Sequence, residues 1–92
     1  MLSVKYRSQF KKDYKKAVKR GLDPEELKVV IDLLINEKPL DRKYRDHPLL
    51  DSRHYKNVRE CHIQNDWLLV YCSDKEKLIL TLVRTGTHSD LF

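Results

Sequence analysis

Residues 57–83 read NVRECHIQNDWLLVYCSDKEKLILTLV and carry three strand signals in a row. Residues 57–63 alternate, putting Val58, Glu60 and His62 on one face and Arg59, Cys61 and Ile63 on the other. Residues 67–72 and 78–83 are nearly continuous apolar runs, as in strands covered on at least one face and paired on both edges. Gln64-Asn65-Asp66 and Ser73-Asp74-Lys75-Glu76 are turn sequences between them, so the expected pairing is antiparallel.

Upstream of this meander the pattern changes from strand to helix. Leu2–Tyr6 suits a short opening strand. Ser8 is the expected N-cap of a helix whose apolar positions are Phe10, Tyr14, Ala17 and Val18, closed by Gly21 in a left-handed conformation. A second helix is more sharply marked. Asp23 is its N-cap, Pro24 sits at N1, Glu26 completes a capping box, and Leu22 and Leu27 form a hydrophobic staple. Leu27, Val30, Ile31, Leu34 and Ile35 give it one broad apolar face, and it must stop near Glu37 because Pro39 disfavours helix in the residue before it. With a two-residue joint, the pair forms an antiparallel hairpin. Pro39 to Tyr55 has no clear period, and so long an irregular stretch in a small domain is often functional. The expected fold is α+β: a short N-terminal strand and a helical hairpin packed on one face of a twisted antiparallel sheet of about four strands, the other face open.

The chain has 92 residues, which allows one domain spanning 1–92, since two cores of half that size would not fold unaided. Its formal charge is +5, unevenly spread. The first twenty residues hold eight basic side chains and one acid, Asp13; the rest hold eleven basic and thirteen acidic groups. Lys11, Lys12, Lys15, Lys16, Lys19 and Arg20 therefore mark the first helix as a docking surface for nucleic acid or an acidic partner, with a solvated helix face as the plain alternative. The longest apolar run, Trp67 to Cys72, is far too short to span a membrane. The N-terminal residues lack the apolar stretch of a secretory signal, and two cysteines without a CxxC spacing suggest reduced thiols, so a cytoplasmic protein is expected.

Four histidines, His47, His54, His62 and His88, are the candidates for proton transfer near neutrality. Their spacings, and the adjacent Cys61-His62, match no common zinc pattern. Neighbouring strand residues also point to opposite faces, so neither a metal site nor a Cys–His nucleophile is expected from Cys61. Cys72 reads as core, and two glycines exclude a Gly-rich phosphate loop; no cofactor is expected. RNA cleavage needs a base for the 2′-hydroxyl, an acid for the leaving 5′-oxygen, a cation for the phosphate and a ring to stack on a base. His47, His62, His88, Asp66, Arg84 and Phe92 are such a set.

Three motifs, YRDHPL (44–49), ECHIQNDWLLVY (60–71) and RTGTHSDLF (84–92), resemble the YafQ-type branch of the RelE/ParE superfamily of bacterial toxin–antitoxin systems. The resemblance covers nearly the whole chain. It implies a ribosome-dependent mRNA endonuclease that cuts in the ribosomal A site and is neutralised by a cognate antitoxin. Histidines and carboxylates would do this without a metal, and the basic first helix is then the expected docking surface for ribosomal RNA. It also implies that His47, His62, Asp66, Trp67, His88 and Phe92 are the functional groups. On that basis His88 and Asp66 are the expected principal acid and base, His47 and His62 position or share the proton, Arg84 holds the scissile phosphate, and Phe92 stacks on a base. Plainer roles exist for several of them: core packing for Trp67, a hairpin turn for Asp66, a carboxylate partner for Arg84. His54 matches no motif position. Two other functions fit the same fold, a DNA gyrase inhibitor and a non-catalytic basic module that binds RNA or a partner. The histidine set separates the first from a nuclease; binding without cleavage would identify the second.

Overall fold

A computed structural model describes residues 1–49 and 58–92. His54, Asn57 and the end of the long irregular stretch lie outside the described residues. The chain runs β1 (Ser3–Tyr6), α1 (Ser8–Lys19), α2 (Pro24–Ile35), a 3₁₀ turn (Arg42–Tyr44), β2 (His47–Pro48), β3 (Arg59–Gln64), β4 (Trp67–Asp74), β5 (Ile79–Gly86) and α3 (His88–Leu91).

The described strands form one five-stranded sheet in the order β1-β5-β4-β3-β2. The meander β3-β4-β5 is antiparallel as expected, but the sheet is mixed, because β1 runs parallel to β5 with Ser3 opposite Ile79 and Tyr6 opposite Leu82. The fifth strand is β2, two residues long, with His47 opposite Glu60 and Pro48 opposite Arg59. A proline is tolerated there because β2 lies at an edge, where its missing N–H breaks no ladder.

The sheet separates two apolar clusters. On the helix side Leu2, Phe10, Ala17, Leu27 and Val30 pack against Cys61, Trp67, Leu69, Tyr71, Leu80 and Leu82. On the other side Val58, Leu68, Val70 and Val83 are closed over by Leu91 of α3 and by Leu49. The apolar runs of β4 and β5 are thus explained by cover on both faces, each such side chain contributing about 1.5–3 kcal/mol.

The second helix begins as predicted. Asp23 accepts a hydrogen bond from the Glu25 amide at 3.0 Å and Pro24 follows. Glu26, however, does not complete a capping box; its carboxylate accepts from the Gln64 amide of β3. The joint between the helices is longer than expected, Arg20 to Asp23, with Gly21 at φ 89°. The start of α1 also differs. Arg7, not Ser8, is the N-cap, because its amide donates to Leu82 O at 3.1 Å, continuing the β1 ladder one residue further. Tyr14 and Val18, expected in the core, are 37% and 43% exposed, and buried Asp13 takes a place on the core-facing side. No helix among the described residues is long and apolar enough to cross a membrane.

Candidate active site

The hairpin geometry assembles the site. Pairing of Leu68 with Gly86 brings the β3–β4 turn, which carries Asp66, beside the end of β5, where His88 begins α3. The His88 amide donates to Asp66 Oδ1 at 3.1 Å, and His88 Nδ1 lies 3.2 Å from the same oxygen. A proton on Nδ1 satisfies that contact and leaves Nε2 turned away from the carboxylate, able to accept or give a proton. The His62 ring stands 5.8 Å from the His88 ring, and the ring of Phe92, half exposed, lies 6.3 Å from that of His88.

His47 reaches the same face through β2. Its neighbour Asp46 anchors the segment by pairing with Arg59 at 2.9 Å and accepting from the Tyr71 hydroxyl. The DHPL motif thus splits into a structural Asp46 and a histidine presented across β3. His47 Nε2 and His62 Nε2 approach Glu60 Oε1 at 3.4 and 3.5 Å. Glu60 is the group that the sequence reading left without a role, although the alternation of β3 put it on the His62 face. The signal was its E-x-H spacing, two residues apart on one strand.

Two expected substrate-binding groups fall elsewhere. Trp67 is 2% exposed and donates from Nε1 to Thr85 Oγ1 at 2.9 Å, so it is a core residue that cannot touch a substrate. The Arg84 guanidinium turns to α1 and forms a two-point ion pair with buried Asp13, at 2.8 and 3.0 Å. Asp13 also accepts from the Thr85 amide at 3.2 Å. Burying Asp13 demands such a partner, and this demand fixes Arg84. Lys43 and Arg45, beside the 3₁₀ turn, instead line a groove of about 420 Å³ that His62 and Asn65 share.

The hydrogen bonds from the His88 backbone and side chain hold the Asp66 carboxyl below its ordinary value. A depressed carboxyl stabilises the folded state above the ordinary carboxylate range, and this contribution fades as pH falls from that range through the lowered folded value. Burial pushes the Cys61 thiol up to about 12, so it carries no thiolate near neutrality.

His47, Glu60 and His62 offer three donor atoms within 4.8 Å of one another. Donors about 2.0–2.2 Å from a tetrahedral ion stand roughly 3.3–3.6 Å apart, close to the two Glu60 distances. The set suits a transition metal better than its sequence spacing suggested, because the third donor is a carboxylate and not Cys61.

A helix pair thus packs on one face of a mixed sheet, and imidazoles and carboxylates gather on the other. Residues 2–92 match the family described as the bacterial toxin of type II toxin–antitoxin systems, YafQ, and the chain belongs to this family. It is 45% identical over 91 residues to the mRNA interferase toxin YafQ of Escherichia coli BL21-DE3, covering 97% of this chain and 94% of that protein. Among solved structures it is similar to a metal-bound toxin from Helicobacter pylori, at 46% identity and a TM-score of 0.92 over the full length of both chains. It is also similar to a chain of the E. coli DinJ–YafQ complex, at 42% identity and a TM-score of 0.88, covering 100% of this chain and 99% of that one.

Proposed function

We propose that this chain, as one domain spanning 1–92, is a ribosome-dependent mRNA endoribonuclease that acts in the cytoplasm, cuts in the ribosomal A site and is held inactive by a cognate antitoxin. The observation that carries the reading is the convergence of His47, His62 and His88 on one face, with Asp66 fixing the ring of His88. In the proposed reaction one imidazole takes the proton of a 2′-hydroxyl, whose oxygen attacks the adjacent phosphorus. The bond from phosphorus to the 5′-oxygen breaks, and a second protonated imidazole supplies the proton to that oxygen. The products are a 2′,3′-cyclic phosphate and a 5′-hydroxyl end. Asp66, ionised at neutral pH, orients His88 and stabilises its protonated form more readily than it trades protons itself. Phe92 offers a ring for stacking on a base, and Lys43 and Arg45 supply positive charge that Arg84, paired with Asp13, supplies less directly.

The chain has few exposed rings with which to hold RNA in line for attack, so the ribosome supplies the stretched codon. Primer extension on a defined message tests this: cuts are expected within codons on programmed ribosomes and not on the same message free in solution. Equal cutting of free message would overturn ribosome dependence.

The reaction as drawn needs no metal, yet His47, Glu60 and His62 would hold a transition ion. A bound ion would occupy the imidazole lone pairs that proton transfer requires. Cleavage is therefore expected to survive a chelator selective for transition metals, which spares ribosomal Mg²⁺, and to fall as Cu²⁺, the strongest binder of such donors, is added. Loss of cleavage in the chelator would refute metal independence.

The antitoxin is expected to lie on the basic α1–α2 face. Lys11, Lys12, Lys15 and Lys19 are exposed there, whereas Lys16 and Arg20 are committed to Asp90. An acidic segment on that surface gives a complex whose affinity falls at least about tenfold between roughly 0.05 and 0.5 M salt, measurable by calorimetry. Constant affinity would place the antitoxin on another face.

A further inference from the structure

The basic end of α1, expected as a docking surface, is joined in the structure to the segment that carries His88. Arg20 meets both oxygens of Asp90, at 2.7 and 3.3 Å, and Lys16 reaches Asp90 Oδ1 at 3.5 Å. Asp90 is simultaneously the N3 residue of the capping box that starts α3. Its Oδ2 accepts from the Thr87 amide at 3.0 Å, while Thr87 Oγ1 accepts from the Asp90 amide at 3.2 Å. Gly86 permits the approach: its φ is 155°, and a Cβ there would stand 3.0 Å from Asp90 Oδ2. The consequence falls on His88, which sits between Thr87 and Asp90 and makes both contacts to Asp66 from the first turn of α3.

A helix of four residues cannot hold itself, since nucleating one turn fixes several dihedrals for a single hydrogen bond. Burial of Leu91 against Val58, Leu68, Val70 and Val83 secures its last turn, and among the described residues the charged partners of Asp90, which hold its start, are Arg20 and Lys16. We propose that the Arg20–Asp90 ion pair is a positioning device for His88, anchoring α3 to α1 so that the imidazole stays against Asp66. Arg20 and Asp90 are positioning residues in this account and touch no substrate. The inference rests on reading His88 and Asp66 as reacting and orienting groups, and it adds a function for two residues outside that site.

Asp90→Asn separates positioning from docking. Removing an acid from a basic surface strengthens attraction to RNA, so a docking role predicts a KM that falls with kcat unchanged. Positioning predicts kcat lowered about tenfold with KM unchanged or lower. Arg20→Gln leaves the capping box untouched and should lower kcat similarly, and the double variant should be no worse than either single one. Additive losses, or wild-type kcat in the folded Asp90→Asn protein, would overturn the proposal. A readout independent of activity accompanies this: ¹³C NMR titration of Asp66, whose carboxyl should rise toward its ordinary value in both variants as the His88 amide withdraws. An Asp66 titration identical to wild type would equally overturn it. His88→Ala measured alongside distinguishes the two failures. If His88→Ala cuts normally, the reading of the site fails while the Asp66 titration still reports on the anchor. If His88→Ala is inactive and Asp90→Asn is not, the positioning proposal alone fails.

Discussion

Replacing His88 by alanine is expected to slow cleavage of ribosome-bound message by about 10²- to 10⁴-fold, the usual contribution of a positioned general acid or base. The fold should survive. The His88 side chain is 58% exposed, and its contact that ties α3 to the β3–β4 turn includes the backbone amide, which alanine keeps. A folded His88→Ala protein that cuts at the wild-type rate would remove this histidine from the mechanism. His88→Gln should also be slow, since an amide can occupy the position beside Asp66 but cannot exchange protons near neutrality. Asp66→Asn is expected to lose less than His88→Ala, because the carboxylate acts by orienting the imidazole. Phe92→Ala should act mainly where a codon must be held in line.

The largest effect on stability is expected from Trp67→Ala, a loss of about 3–5 kcal/mol. Trp67 opens β4, is 2% exposed, and packs in the helix-side core with Leu27, Leu69 and Leu82. Its indole also donates to Thr85 Oγ1, whose own hydroxyl donates to Leu68 O at 2.7 Å. For a domain of this size each kcal/mol corresponds to about 4–8 °C in Tm, so thermal denaturation should show a drop well beyond 10 °C. Trp67→Phe keeps most of the apolar volume and loses the indole N–H, so its loss should be under half as large. A Trp67→Ala protein with unchanged Tm but reduced cleavage would return this residue to the substrate, against its burial.

Much of the architecture was legible in local pattern. Alternation in residues 57–63 assigned Glu60 and His62 to one face and Cys61 to the other, and the structure keeps that division. The Asp23-Pro24 start of α2 and the Gly21 closure were equally clear, because caps and left-handed turns depend on neighbours a few residues away. The candidate functional residues stood out through motif resemblance more than through chemistry. Periodicity gave no reason to prefer His47 over His54, whereas the apolar run that Trp67 opens already pointed to core packing, as its burial shows.

What the sequence determined by itself was what short-range physics controls: two amphipathic helices, the second capped by Asp23, an antiparallel meander, and the face on which each strand residue falls. Tertiary structure alone decided three other matters, each a pairing across a long stretch of chain. β1 chose β5 and made the sheet mixed; Asp13 chose Arg84, 71 residues away, and turned an expected phosphate ligand toward α1. Arg20 chose Asp90, 70 residues away, and joined the basic helix to the segment bearing His88. The physical reason is common to all three. A buried or half-buried charge, like an open strand edge, requires a partner, but its own neighbours in sequence do not specify which distant group will meet it.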